Sequence, residues 1–585
     1  MTTAGAVALG AMLLVAVASA VIGAIGVRVT RSTSDFLVAS RSVGPAANAG
    51  AISGEYLSAA SFLGVAGLIL RDGVDALWYP VGFTAGYLAL VLFVAAPLRR
   101  SGAYTVPDFA EARLASPLLR GVCTGFVLLI GWLYVLPQLQ GAGLTVTVIT
   151  GGLLPAWTGV LAAGVVVVAS VALGGMRSIT FVQAFQYWLK LTAVALPALV
   201  TVVYFLGDAR EFDRPAPPQF PSAASVDVRT DVLLDVRVPT DLVATGRIDG
   251  IDVRDAGLRW EPGLHSAEAG SRLGFTEGSS VPVVAGTPAA DDAWLTPFPE
   301  GRENGLLSTY SLIIALFLGT MGLPHVLVRF YTNPDGRTAR RSAVVVLALL
   351  GGFYITVTVL GALSRLYTPQ LLVNGDTDAA VLLLPTAVLG VGWAGVAIGA
   401  LVAAGAWAAF LSTSSGLIVS VAGVLSTDVF RRGRVRDFRF AAVLAGLVPL
   451  VLALGLGRLD FSEAVALVFA VAASTFCPLL VLGIWWRGLT DRGAVVGLLV
   501  GGVLSAGAVT VSLLGVGGDG ALGVLLYRPA VVSVPAAFAT MVVVSLLTRD
   551  RRPADVDQIL LRLHAPERLG LSRDRLADRE RRTLR

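Results

Sequence analysis

Apolar runs of about 20 residues recur along this chain, and they constrain its fold more than any other feature. A run of that length crosses the ~30 Å hydrocarbon layer of a bilayer as one α-helix. Charged residues make up only 14% of the 585 residues, well below the ~25% typical of soluble domains, and the mean hydropathy is +0.77. The sequence therefore predicts an all-α membrane protein with thirteen transmembrane helices. The predicted spans, numbered 1 to 13 in chain order, are residues 5–27, 45–70, 75–98, 119–149, 155–174, 181–206, 306–331, 341–364, 390–427, 438–457, 462–486, 493–516 and 528–548.

Composition excludes several classes of function. The two cysteines, Cys123 and Cys477, lie inside apolar runs, so neither a disulfide framework nor a metal-ligand cluster is expected. No cofactor fingerprint and no nucleophile–base constellation is recognisable, so we expect neither an enzyme nor a bound cofactor. The net charge of +5 reflects arginine usage and does not indicate a nucleic-acid partner. The expected partners are a small-molecule substrate, a coupling cation and membrane lipid.

The arginines of the short loops predict the orientation in the cell membrane. Eighteen arginines follow odd-numbered spans, whereas only Arg71, Arg365, Arg458 and Arg528 follow even-numbered ones. Cytoplasmic loops retain Lys and Arg, so the odd-numbered loops are expected to face the cytoplasm. The N-terminus is then outside, and the odd number of spans places the C-terminus in the cytoplasm.

Spans 2 and 7 are interrupted by polar and helix-breaking residues. These are Gly54, Glu55, Ser58 and Ser61 in span 2, and Gly319, Gly322, Pro324 and His325 in span 7. Interruptions inside a membrane are tolerated only where the backbone lines protein or a cavity. Each interrupted span opens a group of five, spans 2–6 and 7–11, and an odd group length forces the two groups into opposite orientations. An inverted repeat with broken helices at matching positions indicates a secondary transporter with a midplane site for substrate and ion.

The predicted organisation follows from this repeat. It comprises an N-terminal helix and loop (1–44), a first half (45–206), an extracytoplasmic insertion (207–304), a second half (305–486), spans 12 and 13 (487–548) and a basic cytoplasmic tail (549–585).

The insertion and the tail each leave two possibilities open. The insertion carries 17 acidic residues against 9 arginines, and its segment VDVRTDVLLDVRV alternates apolar and polar residues. This pattern predicts a small β-rich unit, with a solvated loop as the alternative. In the tail, Ile559, Leu560 and Leu563 form an apolar helix face that lies either on the inner leaflet or in solvent.

Span 9 carries hydroxyl groups on adjoining turns. The segment AAFLSTSSGLIVS places Ser412, Thr413 and Ser420 near the carbonyl group of Ala409. Hydroxyl and carbonyl oxygens suit a hard alkali cation. The alternative is structural, because Ser and Thr in membrane helices also bond to their own i−4 carbonyl groups.

Four further polar residues in or beside the predicted spans have to be assigned a role or a position. Gln138 either faces the transport pathway or joins helices by a hydrogen bond. Lys190, the only lysine of the chain, snorkels, pairs with a neighbour or acts in the site. His325 either packs beside the break of span 7 or contacts a proton or the substrate. Arg329 is expected to be a cytoplasmic anchor.

Six segments of the chain resemble the sodium:solute symporter family, which includes the proline permease, the sodium/glucose transporters and the acetate permease. They are GEYLSAASFLGVAGLIL, LRRSGAYTVPDFAEARL, GGMRSITFVQAFQ, GTMGLPHVLVRFYT, FLSTSSGLIVSVAGVLSTDVF and AVAASTFCPLLVLGIWWRGLTDRGAVVG. The resemblance covers most of residues 43–500. It implies thirteen spans, a 5+5 inverted-repeat fold like that of the leucine transporter, and cation-driven alternating access. SAASFLG and GLPHVLVRF are most similar to the acetate permease branch.

The resemblance also implies a sodium site. The positions that match the family's ligands are the carbonyl groups of Gly54, Leu57 and Ala409 and the hydroxyl groups of Ser412 and Thr413. The proline permease carries a carboxylate where this chain has Tyr56, with Glu55 one place earlier. Na⁺ is the expected coupling ion, and H⁺ stays open because of this departure.

A short monocarboxylate such as acetate, propionate or pyruvate is the expected substrate. Broken helices direct amide groups with positive dipole ends toward the midplane, where they hold a carboxylate. The candidate substrate contacts are Ser58, Ser61, Gln138, Thr320 and His325, and the candidate gating residues are Gly319, Gly322 and Pro324. Two alternatives stay open. One is an amino acid whose ammonium group pairs with Glu55, and the other is a non-transporting substrate sensor with the same fold.

Overall fold

The computed structural model describes residues 2–29, 44–208, 210–212, 216–298, 304–430, 435–457, 461–513, 520–566 and 569. Within these ranges, eleven helices are long and apolar enough to cross a membrane. The predicted loop after span 1 and the end of the basic tail fall largely outside the described residues.

The helices follow the predicted spans closely. Spans 1 to 6 contain Thr3–Val29, Pro45–Tyr56 with Val65–Asp72, Trp78–Phe93, Pro117–Ile149 and Ala156–Leu206. Spans 7 to 13 contain Gly305–Gly322 with Pro324–Phe330, Gly336–Tyr367, Trp393–Val424, Val435–Gly455, Phe461–Ser474 with Phe476–Trp485, Asp491–Leu513 and Ala530–Leu547. Shorter helices are Ala95–Arg100, Val106–Leu114, Asp291–Leu295, Leu371–Asn374, Ala380–Leu389, Ala521–Tyr527 and Val556–His564, and π-helical turns are Ala60–Gly64 and Leu425–Val429.

Eleven helices are counted among the described residues, rather than thirteen, because two of them cover more than one predicted span. Ala156–Leu206 covers spans 5 and 6, and it changes direction at Gly175, whose φ of 64° is not helical. Ala60–Phe93 joins the second half of span 2 to span 3 through the 3-10 turn Gly73–Leu77. The count of thirteen stays a prediction.

The centre of the bundle is formed by spans 2, 6 and 9, which pack against one another. The first half of span 2 ends at Tyr56, and Leu57 after it is extended, with φ −77° and ψ 93°. Span 7 breaks in the same way at Leu323, with φ −73° and ψ 114°. Single extended leucines therefore interrupt the first span of each predicted half.

The insertion between spans 6 and 7 contains a seven-stranded antiparallel sheet, where the sequence alternation predicts strands. The strands are β1 (Ala224–Asp227), β2 (Val232–Val236), β3 (Thr240–Ile248), β4 (Ile251–Trp260), β5 (Gly263–Ala267), β6 (Arg272–Phe275) and β7 (Val283–Val284). Their order is β1-β6-β3-β5-β2-β7, with β4 paired to β3. Trp294 attaches this unit to span 2 through a hydrogen bond from Nε1 to the Ile69 carbonyl oxygen at 2.8 Å.

The helix Val556–His564 in the tail packs against the protein. Leu560 and Leu563 are buried in the main core, and Ile559 is packed against that core while partly buried. Arg100 donates from Nη1 to the His564 carbonyl oxygen at 3.2 Å. The apolar face predicted for the leaflet or for solvent is therefore covered by the bundle.

Candidate cation and substrate site

The break of span 2 brings backbone oxygens to the centre of the bundle. Gly54 lies so close to the Gln183 carbonyl group of span 6 that a Cβ atom would clash with it. The carbonyl groups of Gly54 and Leu57 face span 6 in this region. Both carbonyl oxygens accept hydrogen bonds from that span.

The donor to these carbonyl groups is Lys190, whose side chain is fully buried. Its ammonium group donates to the carbonyl oxygens of Gly54 and, at 2.8 Å, of Leu57. It also donates to the hydroxyl oxygen of Ser412 at 2.9 Å. Three of the five predicted cation ligands therefore surround the amine of a side chain from span 6.

The other two predicted ligands lie beside this group and bond elsewhere. The Ala409 carbonyl oxygen lies 3.1 Å from Ser412 Oγ. The Thr413 hydroxyl donates to the Glu55 carbonyl oxygen at 2.8 Å. The structure thus brings all five positions together between spans 2 and 9, and their role as cation ligands stays a prediction.

A sodium ion does not fit this oxygen set while Lys190 is in place. The Lys190 Nζ atom bonds to the oxygens of Gly54, Leu57 and Ser412 that would coordinate the metal. Burying two cations side by side in a low-dielectric centre is strongly unfavourable. The oxygen chemistry suits an alkali cation, but the position is held by the protein's own cation.

A buried ion pair lies next to the lysine. Arg329 Nε pairs with Glu55 Oε2, and the two side chains are 0% and 1% exposed. Arg329 also donates to Thr180 Oγ1 at 2.9 Å and to the Gln183 side-chain oxygen. Gln183 in turn donates to the Ser412 carbonyl oxygen at 2.7 Å. The pair is thereby joined to span 9.

The prediction that Arg329 is a cytoplasmic anchor is wrong. Its guanidinium group lies inside the bundle, where it finds the partners that a buried charge needs: the carboxylate of Glu55 and the side-chain oxygens of Thr180 and Gln183. Glu55 is correspondingly engaged, and an incoming ammonium group would have to compete with Arg329 for it.

The predicted substrate contacts of span 4 meet the break of span 2. The Gln138 side-chain oxygen accepts from the Ala59 backbone amide at 2.8 Å. The Gln138 amide nitrogen is buried and has no hydrogen-bond partner among the described residues. The hydroxyl group of Ser58, which follows the break, is likewise buried without a hydrogen-bond partner among the described residues. A free donor is therefore present where the helix is broken.

The hydroxyl groups of Ser61 and Thr320, two further predicted substrate contacts, each lie beside a tyrosine hydroxyl group. Ser61 Oγ lies 3.0 Å from the Tyr354 hydroxyl group of span 8. Thr320 Oγ1 lies 3.0 Å from the Tyr56 hydroxyl group and also donates to the Leu316 carbonyl oxygen at 2.8 Å. These contacts connect span 2 to spans 7 and 8.

His325 packs edge-on against Tyr134, with ring centroids 5.2 Å apart. The histidine is buried, and neither ring nitrogen has a hydrogen-bond partner among the described residues. Through Tyr134, it lies next to the turn of span 4 that precedes Gln138. The two interpretations of its role, packing or contact with a proton or substrate, are both compatible with this position.

The glycines of span 7 are helical and serve close packing. A Cβ atom at Gly319 would clash with the Phe469 carbonyl group, and one at Gly322 with the Ala472 carbonyl group, both in span 11. The break itself falls at Leu323, and Pro324 opens the following helix.

Sequence reasoning missed the aromatic side chains around these contacts. Phe83 stacks on Tyr354 with centroids 5.9 Å apart and meets Phe469 edge-on at 5.1 Å. Tyr134 could have been found, since it lies four residues before Gln138 and therefore on the same helix face. Tyr354 and Phe469 could not, because nothing local relates them to span 2.

Comparison with protein families gives one match over most of the chain. The model of the sodium:solute symporter family matches residues 36–234 and 292–501. The part left unmatched between these ranges contains most strands of the insertion.

Two relatives match along nearly their whole length. An uncharacterized symporter of Bacillus subtilis is 29% identical over 540 residues, covering 89% of this chain and 90% of the relative. The monocarboxylic acid transporter of Corynebacterium glutamicum is 28% identical over 576 residues, covering 94% and 93%.

Among solved structures, the chain is similar to a Na⁺-coupled sialic acid symporter in a substrate-bound outward-open state. The TM-score is 0.61, with 14% identity, and the match covers 92% of this chain and 97% of the other. At that identity the likeness concerns the fold, which is that of an inverted-repeat transporter.

Proposed function

The chain belongs to the sodium:solute symporter family, and from this premise we propose that it is a cation-coupled symporter of short monocarboxylates such as acetate, propionate or pyruvate. It is a multi-pass membrane protein and a transporter rather than an enzyme. In the proposal it lies in the cell membrane with its N-terminus outside and works by alternating access.

The observation that carries the substrate class is the charge balance at the break of span 2. Counted in their ordinary ionisation states at neutral pH, Lys190 and Arg329 carry two positive charges and Glu55 carries one negative charge. The net charge of +1 is the complement of one carboxylate. Buried charges are stable when paired, so a monoanionic substrate suits this centre better than a neutral sugar.

The surroundings favour a small substrate with an alkyl group. The Gln138 amide nitrogen and the His325 ring nitrogens are polar groups without partners among the described residues. Tyr134 packs against His325, and Phe469 and Phe83 continue this aromatic surface. A sugar would demand many more paired polar groups. The likeness to a protein named as a monocarboxylic acid transporter supports the same class.

An amino-acid symporter is the second candidate, and the ion pair weakens it. The carboxylate that would receive the substrate's ammonium group is Glu55, which already pairs with Arg329. The substrate's ammonium group would also be repelled locally by the like charges of Lys190 and Arg329. A substrate sensor with the same fold is the third candidate and would bind without transporting.

Competition for uptake tests the substrate class. In proteoliposomes carrying the full chain, unlabelled acetate, propionate and pyruvate should inhibit uptake of labelled pyruvate at low excess, whereas proline and glucose should not. If proline alone competes, and this competition is lost in Glu55→Gln, the substrate is an amino acid and the monocarboxylate proposal is wrong.

A further inference from the structure

Lys190 lies near the middle of a membrane-spanning helix and points inward. It is 15 residues beyond the bend at Gly175 and 16 before the helix end at Leu206. At 1.5 Å per residue, about 22 to 24 Å of helix separates it from the two ends. The side chain is 0% exposed. Snorkelling to an interface is therefore not what this lysine does.

The contacts of the Nζ atom match an ammonium group. Its three acceptors are the oxygens of Gly54, Leu57 and Ser412. An ammonium group has three N–H donors and no acceptor, so each donor finds one oxygen. Ser412 Oγ accepts from Lys190 while donating to the Gly54 carbonyl oxygen at 2.7 Å, which completes the arrangement.

No carboxylate within the described parts of the chain forms a salt bridge with Lys190, whereas Glu55 is paired with Arg329. Backbone carbonyl and hydroxyl oxygens make the direct contacts with the amine, and Glu55 acts on it only through space. The same kind of oxygen set replaces the water shell of an alkali cation in a membrane. The surroundings of Lys190 are thus those of a cation site rather than those of a salt bridge.

We infer that the Lys190 ammonium group is a built-in cation that takes the place of a bound Na⁺ between the break of span 2 and span 9, so that this chain binds no Na⁺ at Gly54, Leu57 and Ser412. Only what this inference implies for transport rests on the proposed function. The occupancy of the site is a separate question and is tested without substrate.

Removal of the amine should open the site to the ion it replaces. In Lys190→Ala the three oxygens lose their donor, and buried oxygens without donors are unfavourable. Space and ligands for Na⁺ then exist together. Lys190→Gln, which is neutral but retains an N–H₂ donor, serves as a second variant if Lys190→Ala does not fold. Thr192→Ala is the matched control, because its side chain is exposed on the same helix and bonds to the Trp188 carbonyl oxygen.

The measurement is the melting temperature of the purified full chain in detergent with NaCl or choline chloride and no substrate. Ligands that bind the folded state raise this temperature in a saturable way. In Lys190→Ala, we expect Na⁺ to raise the melting temperature by about 2 °C or more, and Ser412→Ala added to that variant should abolish the rise. In the wild type and in Thr192→Ala, any response to Na⁺ should be unchanged by Ser412→Ala.

Two results would overturn the inference. One is a saturable Na⁺ response of the wild type that Ser412→Ala removes, because Na⁺ would then bind beside Lys190. The other is that folded Lys190→Ala and Lys190→Gln show no Na⁺ response that Ser412→Ala removes. In that case the amine does not take the place of the ion. Neither result depends on whether monocarboxylates compete for uptake.

Discussion

The ammonium group of Lys190 in span 6 lies 2.8 Å from the carbonyl oxygen of Leu57, the residue at which span 2 is broken. An extended residue inside a membrane helix leaves backbone oxygens without helical donors, and these must be satisfied by other groups. Here a buried lysine meets this need. The broken helix of span 2 is therefore joined directly to Lys190, the only charged side chain of span 6.

Gln138 is predicted to bind the substrate through its amide nitrogen, which is buried without a partner among the described residues. Gln138→Ala removes one donor to a carboxylate, and a hydrogen bond to a charged group contributes about 1.5–3 kcal/mol. The half-saturating substrate concentration should rise about 10- to 100-fold. The control is Gln140→Ala on the same helix, whose side chain donates to the Gly457 carbonyl oxygen and should leave that concentration within about twofold of wild type. Equal effects of both changes would show that Gln138 is not part of the binding site.

Tyr56 is predicted to stabilise the contact between spans 2, 3 and 7. Its hydroxyl group lies 3.0 Å from Thr320 Oγ1 and donates to the Phe83 carbonyl oxygen at 3.2 Å. Tyr56→Phe should lower the free energy of unfolding by about 1 kcal/mol. Tyr87→Phe is the matched control, since that buried hydroxyl group has no partner among the described residues. Denaturant unfolding of both variants checks the difference, and a neutral Tyr56→Phe would contradict it.

The break at Leu323 is predicted to serve motion. Pro324 cannot donate a helical hydrogen bond, and proline in a helix interior costs about 3 kcal/mol. Pro324→Ala should favour a continuous span 7 and reduce the turnover rate about tenfold, with a smaller effect on substrate affinity. Pro449→Ala, inside the unbroken helix Val435–Gly455, is the control. Wild-type turnover in Pro324→Ala would mean that the break only accommodates packing.

The Glu55–Arg329 pair is predicted to stabilise the fold rather than to bind an amino acid. Glu55→Gln leaves a buried guanidinium group unpaired, which costs about 3–5 kcal/mol. Asp227→Asn removes the carboxylate of an exposed pair with Arg272 in the insertion, and a much smaller loss of stability is expected because solvent screens exposed pairs. Melting curves of both variants test this contrast. A Glu55→Gln protein of normal stability with altered substrate preference would favour the amino-acid alternative.

The sequence allowed the helix breaks to be predicted because glycine and proline act locally. The break of span 7 falls at Leu323, directly before Pro324, and the break of span 2 falls at Leu57, between Gly54 and Ser58. The alternation of apolar and polar residues likewise predicted strands in the insertion. These features depend on neighbours in the chain, so a single sequence suffices to find them.

The role of Lys190 and the place of Arg329 could not be predicted in that way. Whether a lysine in span 6 snorkels or points inward depends on the rotation of the helix against spans 2 and 9. Arg329 follows the break closely and precedes loop arginines, so its position along the chain resembled that of an anchor. Only the packing of span 7 beside Glu55 reveals the pair.

Accumulation of labelled propionate in proteoliposomes under an imposed inward cation gradient tests the central claim most directly. A cation-coupled symporter should concentrate propionate severalfold above its external level, and an ionophore that dissipates the gradient should collapse the accumulation. Parallel gradients of Na⁺ and H⁺ identify the driving ion. Propionate that binds to the protein but never exceeds its external concentration under either gradient would contradict the account and favour a sensor.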